Sequence, residues 1–308
     1  MTATLAYRHP STVQDVAIAE DAIVVATNYR LNVFGFLAGD ELKAESADGS
    51  YGNYGLQDQR AAMQYIAQEI AAFGGDPKRL TIFGESAGGA SVSNHLVSPR
   101  SRGLFAGAMI ESGSFSDWSS QPYNISRTRL PQVAKHLGCA TGPTLLACLR
   151  AVNETALLAA DRGLTEGQLE WGPTIDGVEV VDDPRTLAAA GLVAPVPVLL
   201  GFNADEGTLF DSAPTNLNAS DYLAAVETII GPDLAPRIVE AYPAAQYESP
   251  WWAISAILRD SQMLCPGLQT AGWLSARSPP QQTFVYFYTQ ILLITDIIDL
   301  FRELRCFQ

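Results

Sequence analysis

Short apolar runs alternate with segments of helical periodicity along this chain of 308 residues. Runs that are rich in β-branched, leucine or aromatic side chains predict strands, and those at 22–27, 80–84 and 195–203 are expected to be buried. These runs are AIVVAT (22–27), LTIFG (80–84), AGAMIE (106–111), PVPVLLGFN (195–203) and FVYFY (284–288). Because helical segments separate strands along the chain, the pattern favours a mostly parallel sheet with helices on both faces. The sequence therefore predicts an α/β fold.

The clearest helical segment covers residues 56–73. One helical face carries the apolar residues Met63, Ile66, Ile70 and Phe73. Gly74, followed by Gly-Asp-Pro, is a typical helix end. A second helix is predicted directly after the strand at 80–84, over ESAGGASVSNHLVS.

The remaining pattern predicts one large domain and a tail. Residues 120–190 are rich in helix formers, and we expect them to form insertions at one end of the sheet. No internal repeat or low-complexity linker interrupts the chain, so residues 1–288 are predicted to be one continuous domain. Residues 289–308 predict an amphipathic tail. One face of that tail would carry Ile291, Ile294, Ile298 and Phe301.

Composition excludes several classes of protein. With 47% hydrophobic and 17% charged residues, the chain can bury a substantial core, which excludes a disordered tail, a coiled coil or a fibrous repeat. The net charge of -14 and the lack of a basic patch argue against a nucleic-acid partner. No apolar stretch is long enough to span a membrane, and the N-terminal residues lack the features of a signal peptide. The sequence gives no indication of oligomeric state.

The cysteines are too few for a disulfide scaffold. Cys139 and Cys148 are close in sequence, whereas Cys265 and Cys306 stand apart. The short loop between the first two could close as a disulfide, or the thiols could be free and buried.

Three asparagines begin Asn-X-Ser/Thr glycosylation sequons: Asn124, Asn153 and Asn218. About one sequon would be expected by chance in a chain of this composition. Their number therefore favours a secreted or lumenal protein.

Gly84-Glu85-Ser86-Ala87-Gly88 has the pattern G-x-S-x-G between a predicted buried strand and a predicted helix. This is the context of a nucleophile elbow, in which a sharp turn presents a serine hydroxyl above the sheet edge. The flanking glycines are expected where a Cβ would collide with the neighbouring strand and helix. At the start of the helix, the Ala87 N–H is expected to point at an oxyanion. The motif therefore predicts Ser86 as a nucleophile.

Around this motif the chain resembles the type-B carboxylesterase and cholinesterase family of α/β-hydrolases. The resemblance covers about residues 16–288. It rests on FGESAGGASVSNHLVSP and on ordered matches such as VVATNYRLNVFGFL, GNYGLQDQRAAMQYI, FGGDPKRLTIFG, MIESGS, PTIDGV and GFNADEGTLF. It implies an α/β-hydrolase fold and hydrolysis of carboxylic esters through an acyl-enzyme, with no metal or organic cofactor.

The resemblance implies roles for further residues. The family uses serine, an acid and histidine in that chain order, which assigns the acid to Glu206, with Asp205 as the weaker candidate. A carboxylate just past a core strand lies at the same sheet edge as the elbow, in agreement with this assignment. Ser112 resembles a serine that supports the acid, and a serine satisfied within the core is the alternative. Trp118 resembles an acyl-pocket aromatic, and a core tryptophan is the alternative.

The resemblance also implies a disulfide between Cys139 and Cys148, because the family has a small disulfide loop at LGC…ACLR. This agrees with the sequons and with a secreted or endoplasmic-reticulum location.

None of the three histidines takes the place of the family's catalytic histidine. His95 lies nine residues after Ser86 on the same predicted helix, about two and a half turns away. We expect it to be structural and His136 to lie on a surface helix, and His9 precedes the first predicted strand. In the family the base follows the acid in a His-Gly segment, where this chain continues with the divergent tail.

The family's His-Gly-Gly segment, which completes the oxyanion hole, would precede Met1. We therefore expect the chain as given to be incomplete. Loss of a triad base costs about 10⁶ in turnover. Loss of an oxyanion donor costs about 10²–10³. Little or no esterase activity is the expected result.

Three interpretations follow. The first is an ester hydrolase whose sequence is incomplete. The second is a non-catalytic binding or adhesion module of the same fold, although such modules commonly lose the nucleophile that this chain retains. The third is a short soluble decoy isoform with the tail as a partner helix.

Overall fold

The computed structural model describes residues 17–18, 21–165, 171–277 and 280–289, with the backbone alone at 161–165. The α-helices in this part of the chain are α1 (Asn32–Phe36), α2 (Asp40–Glu45), α3 (Tyr54–Glu69), α4 (Ala87–Val97), α5 (Tyr123–Ser126), α6 (Arg129–His136), α7 (Leu145–Ala151), α8 (Glu154–Thr165), α9 (Pro184–Ala189), α10 (Tyr222–Ile230), α11 (Ala235–Ala241), α12 (Pro250–Arg259) and α13 (Cys265–Ser275). The strands are β1 (Thr81–Glu85), β2 (Gly107–Glu111), β3 (Gln121–Pro122), β4 (Thr174–Ile175), β5 (Val198–Asn203) and β6 (Thr283–Tyr288).

The main sheet of the described residues has the strand order β1-β2-β5-β6. β1 and β2 pair in parallel, with Thr81 opposite Gly107 and Glu85 opposite Glu111. Helix α4 follows β1 and packs against both strands. This connectivity confirms the predicted α/β fold.

β5 and β6 are also parallel. Val198 N donates to Gln282 O, and Ala204 N donates to Tyr288 O. Both partners advance by the same number of residues, which only a parallel pair allows. β3 and β4 form a separate two-stranded parallel sheet.

Four of the five predicted strands are confirmed, and the prediction of a strand at 22–27 is wrong. In that run the only bridging residue is Ala26. Ile23 is exposed rather than buried. An apolar run becomes a strand only where a neighbour pairs with its backbone along its length, and no described residues provide such a ladder here.

The helix predicted over 56–73 is α3, continued by a tighter turn at Ile70–Phe73. Met63 and Ile66 are buried as predicted, but Phe73 is 74% exposed, so the apolar face stops earlier than expected. Gly74 ends the helix with φ at 85°, and Gly75 N donates back to Ile70 O. The glycine at position 74 indicates such a left-handed helix end in the sequence, and this prediction is confirmed.

The strand β6 exposes a row of hydrophobic side chains. Its residues from Phe284 to Tyr288 are 37–58% exposed although all are large and apolar. The strand stands at an edge of the described sheet.

The chain divides into two compact units. Among the described residues, the first unit contains those up to 200 and residues 261–285, and the second contains residues 201–260 and 286–289. The core of the second unit is built by α10, α11 and α12 around Val226, Ile254 and Ile257. The single domain over 1–288 stays a prediction. Of the predicted tail over 289–308, every residue after 289 lies outside the described residues.

The disulfide between Cys139 and Cys148 is confirmed. It joins the turn after α6 to α7, and Cys139 packs with Leu130, Ala134 and Leu145 in a buried cluster. Cys265 is exposed, and Cys306 lies outside the described residues.

The region predicted to be rich in helices, 120–190, contains α5 to α9. No helix among the described residues is both long enough and apolar enough to cross a bilayer.

Candidate active site

Ser86 occupies a strained turn between β1 and α4. Its backbone has φ 55° and ψ -121°, a conformation that side-chain-bearing residues seldom adopt. Ser86 N donates to Glu111 O at 2.8 Å, which ties the turn to the end of β2. The side chain is half-buried, and Ala87 is exposed as the first residue of α4. This is the strand-turn-helix context that the motif predicts.

Two further glycines let the helix and strand close around this turn. A Cβ on Gly113 would lie 2.3 Å from Ser86 O and 3.0 Å from Ala90 N. A Cβ on Gly89 would lie 3.0 Å from Glu111 O. Crowding at Gly84 and Gly88, on either side of the nucleophile, stays a prediction. Gly89 and Gly113 are positions where the structure shows such crowding. Gly113 comes from MIESGS, so its role depends on a contact that the motif alone does not reveal.

Glu206 follows β5 in a short 3₁₀ turn, Glu206–Leu209. Asn203 donates to Glu206 Oε1 from its backbone N at 2.9 Å and from its Nδ2 at 3.2 Å. Gly207 next to it packs on α12, where a Cβ would lie 1.8 Å from Ser255 O. The acid is therefore held by both β5 and α12. Asp205, the weaker candidate, is exposed.

Glu206 belongs to the second unit and Ser86 to the first. Each residue is therefore placed within its own unit, and their pairing in a triad stays a prediction.

The two supporting candidates follow β2. Ser112 is buried, with φ at 52°. Trp118 is half-buried, and its Nε1 donates to Gln262 O at 3.2 Å. Ser116 Oγ donates to the same carbonyl at 2.5 Å. Gln262 lies in a π-helical turn, Asp260–Leu264, which fixes the segment that carries Trp118. The roles of Ser112 and Trp118 in catalysis stay predictions.

His95 is buried in α4, and both of its ring nitrogens are occupied. Nδ1 lies 2.9 Å from Ser101 Oγ, and Nε2 lies 2.9 Å from Gln59 Oε1. Gln59 Nε2 donates to Ser91 Oγ, so Gln59 Oε1 is the acceptor that faces His95. His95 therefore carries its proton on Nε2 and accepts from Ser101 at Nδ1. Neither nitrogen is available as a base.

Burial, and then the positive charge of Arg60, lower the pKa of His95 to about 3. The ring is therefore neutral near pH 7, as expected of a structural histidine. His136 is exposed at the end of α6, as expected, and His9 lies outside the described residues.

A buried polar network runs from His95 to the start of α4. Ser91 Oγ donates to Ala87 O at 3.0 Å and accepts from Gln59 at 3.2 Å. The Tyr29 hydroxyl also hydrogen-bonds with Gln59 and Ser91, and its burial raises the pKa of Tyr29. The network anchors the residue whose N–H is predicted to face the oxyanion. Sequence reasoning missed Gln59 and Tyr29, because both come from segments far from the motif.

The carboxylesterase family model matches residues 5–291. This chain belongs to the carboxylesterase family.

Two curated relatives of this carboxylesterase-family chain are named cholinesterases. Cholinesterase from Mus musculus is 41% identical over 202 residues, covering 63% of this chain and 33% of that protein. Cholinesterase 1 from Branchiostoma lanceolatum is 36% identical over 230 residues, covering 70% of this chain and 63% of that protein. The chain therefore spans less than two thirds of the length of either relative.

The three sequon asparagines of this carboxylesterase-family chain, Asn124, Asn153 and Asn218, are exposed. Asn153 Oδ1 also accepts from Ala156 N at 2.8 Å, at the start of α8. Exposure satisfies one requirement for glycosylation, and the modification itself stays a prediction. No cluster of metal-ligating side chains occurs among the described residues.

Replacing Gly113 with Ala tests the close approach around Ser86. The new Cβ would overlap Ser86 O, so the turn must shift, and we expect the free energy of unfolding to fall by about 1–3 kcal/mol. Gly272→Ala in α13 is the control, because nothing lies within 4 Å of its Cβ position. That variant should be neutral, or more stable by up to about 1 kcal/mol. Equal urea midpoints for the two variants would contradict the crowding at Gly113.

Acid titration tests the environment of His95. Its pKa is about 3 in the folded chain and about 6.5 when unfolded, so the unfolded state binds more protons between these values. The contribution of neutral His95 is complete above about pH 6.5 and is lost progressively as the pH falls towards 3. His95→Gln should flatten this part of the stability profile, measured by urea unfolding at successive pH values. A slope identical to that of the wild type would show that His95 is not the buried group responsible.

Proposed function

We propose that this chain carries the nucleophile and the acid of a serine hydrolase for carboxylic esters. Membership of the carboxylesterase family supports ester hydrolysis as the reaction class. The observation that carries the serine mechanism is the strained backbone of Ser86 at the start of α4. Strain of this kind persists only where the surrounding structure enforces it, and here Glu111, Gly89 and Gly113 do so.

In the proposed mechanism Ser86 Oγ attacks the ester carbonyl carbon while a histidine base accepts its proton. The C–O bond to the alcohol then breaks, and the alcohol leaves with that proton. Water attacks the acyl-serine in the same way and releases the carboxylic acid. Glu206 would orient the histidine and stabilise its charged form.

No base is assigned among the residues that the structure describes. His95 is excluded because both of its nitrogens are bonded to Gln59 and Ser101. The base matters greatly, because its loss from a serine triad costs about 10⁶ in turnover.

The start of α4 suits the developing oxyanion. The first N–H groups of a helix have no partner within the helix, and the helix dipole favours negative charge there. Ala87 is exposed at this position, and its carbonyl oxygen accepts a hydrogen bond from Ser91 Oγ. Its N–H would donate to the tetrahedral intermediate, and one such donor is worth about 10²–10³ in rate. Trp118, held by Gln262, would border the acyl group.

Acylation of Ser86 by p-nitrophenyl acetate is the test, read by mass spectrometry of the peptide that contains Ser86. Because turnover is expected to be low, a single covalent event is a sharper readout than a steady-state rate. With imidazole added as an external base, we expect an acetyl group on Ser86 in the wild type and none at that position in Ser86→Ala. Ser275→Ala, which removes an exposed serine of α13, should be acylated at Ser86 like the wild type.

An unmodified Ser86 after prolonged exposure to the ester together with imidazole would exclude a reactive nucleophile in this chain. That result would favour the non-catalytic binding module, since such a module needs the fold but not the serine hydroxyl.

We also propose that the chain folds in an oxidising compartment and is glycosylated. The disulfide between Cys139 and Cys148 supports the first part, because disulfides persist in secreted and lumenal proteins. The exposed side chains of Asn124, Asn153 and Asn218 support the second.

Peptide:N-glycosidase digestion of the protein from a eukaryotic secretory host checks glycosylation. We expect the electrophoretic mobility of the chain to increase after digestion, with aspartate replacing asparagine at occupied sequons. An unchanged mobility would contradict the proposed modification.

A further inference from the structure

Two adjoining cavities lie in the first unit, apart from the Ser86 turn. Each has a volume of about 420 Å³, within the range of small-molecule sites. They share Leu42, Tyr54 and Arg150 as lining residues, so they meet along a common wall. None of the residues that line them belongs to the candidate active site.

One cavity is mostly apolar. Its half-buried hydrocarbon lining comes from α1, α7 and the segments beside them. Its aliphatic and aromatic lining includes Phe34, Leu37, Leu42, Leu146, Leu149 and Leu157. The disulfide holds one wall in place, because Cys148 belongs to α7 together with Leu146 and Leu149. A preformed apolar wall favours a ligand with a hydrocarbon body.

The other cavity, named the polar cavity for its charged side chains, has polar and apolar surface in about equal parts. Its arginines are already matched by carboxylates. Arg100 Nη1 lies 2.6 Å from Asp48 Oδ2 and 2.9 Å from Glu179 Oε1. Arg150 Nη2 lies 2.8 Å from Glu45 Oε1.

Arg60 completes this lining and is bidentate to Glu179, with Nη2 2.8 Å from Oε1. The three guanidinium groups of the polar cavity thus face three carboxylates. Ser46, Ser50 and Gln57 add hydroxyl and amide groups to the same lining.

Because each guanidinium group is already paired with a carboxylate, the polar cavity favours a ligand head that carries no charge. An anionic head would have to compete with the carboxylates for the guanidinium groups, and a cationic head would compete with the guanidinium groups for the carboxylates. An uncharged head with several hydroxyl groups leaves the ion pairs intact, and it can both donate to carboxylates and accept from guanidinium groups. Arg30, which lines the apolar cavity, is likewise paired with a carboxylate. Its Nε lies 2.8 Å from Asp58 Oδ2, and its Nη2 lies 2.7 Å from Asp58 Oδ1.

We propose that the two cavities together bind one uncharged amphiphile. Its hydrocarbon body occupies the apolar cavity against α1 and α7, and its hydroxylated head occupies the polar cavity beside Arg100 and Arg150. The site is separate from the proposed ester hydrolysis and does not depend on Ser86.

Three probes with the same octyl tail test the head group in the full chain. These are octyl β-D-glucoside (uncharged), octyl sulfate (anionic) and octyltrimethylammonium (cationic), each titrated below its critical micelle concentration by calorimetry. We expect one site for the glucoside and an affinity at least about tenfold above that of either charged probe. Equal affinities would overturn the proposal, since only the shared tail would then contribute. Preferred binding of a charged probe, or no binding of the glucoside, would also overturn it.

A substitution in the apolar cavity tests the location. Leu146→Trp fills the cavity from α7, keeps the site apolar, and should weaken glucoside binding at least about tenfold. Leu223→Trp is the matched control, because Leu223 is 40% exposed on α10 and lines neither cavity. Ser86→Ala should bind the glucoside like the wild type, which separates this site from the proposed function.

Hydrogen exchange of the wild type gives a readout that needs no variant. The glucoside should slow exchange in residues 33–37 and 145–152, on the two walls of the apolar cavity. Protection confined to other segments, or glucoside binding unchanged in a folded Leu146→Trp variant, would place the ligand elsewhere and overturn the proposal.

Discussion

The site depends on the close contact of three backbone segments around Ser86. The turn is left-handed at a residue with a side chain, and that conformation costs about 1–3 kcal/mol unless neighbours enforce it. Gly89 and Gly113 allow α4 and the end of β2 to approach Ser86 closely enough to do so. The hydrogen bond from Ser86 N to Glu111 O satisfies the backbone at the same point. The reactive geometry is thus a property of the packing as well as of the G-x-S-x-G motif.

The nucleophile helix is fixed by polar contacts on more than one side. Ser91 and His95 face Gln59, whereas Ser93 Oγ accepts from Phe115 N and Asn94 Nδ2 donates to Ser119 O. Buried hydrogen bonds have directions, so each restricts the helix more narrowly than apolar packing would. A helix that is held in this way can keep its first N–H groups aimed at one point in space, which is the requirement of an oxyanion site.

Local features of the sequence predicted the structure well, and features that depend on distant partners did not. The left-handed end at Gly74 and the turn at Ser86 are both indicated by a few adjacent residues. The strand at 80–84 was predicted for the same reason, whereas the similar run at 22–27 failed because a strand also requires a paired neighbour. Gln59 shows the same limit for the site. Its contact with His95 joins residues 36 positions apart, and no pattern within either segment indicates it.

Asn153 combines two roles in one amide group. Its Oδ1 accepts the Ala156 N–H at the start of α8, while a glycan would be attached through Nδ2. The carbonyl acceptor survives N-glycosylation, so the sugar and the helix cap are chemically compatible. Replacing Asn153 with Ala would remove both at once, and the loss of such a cap costs about 1 kcal/mol by itself. Thr155 offers the cleaner way to abolish the sequon, because its side chain is exposed and the capping carbonyl of Asn153 remains in place.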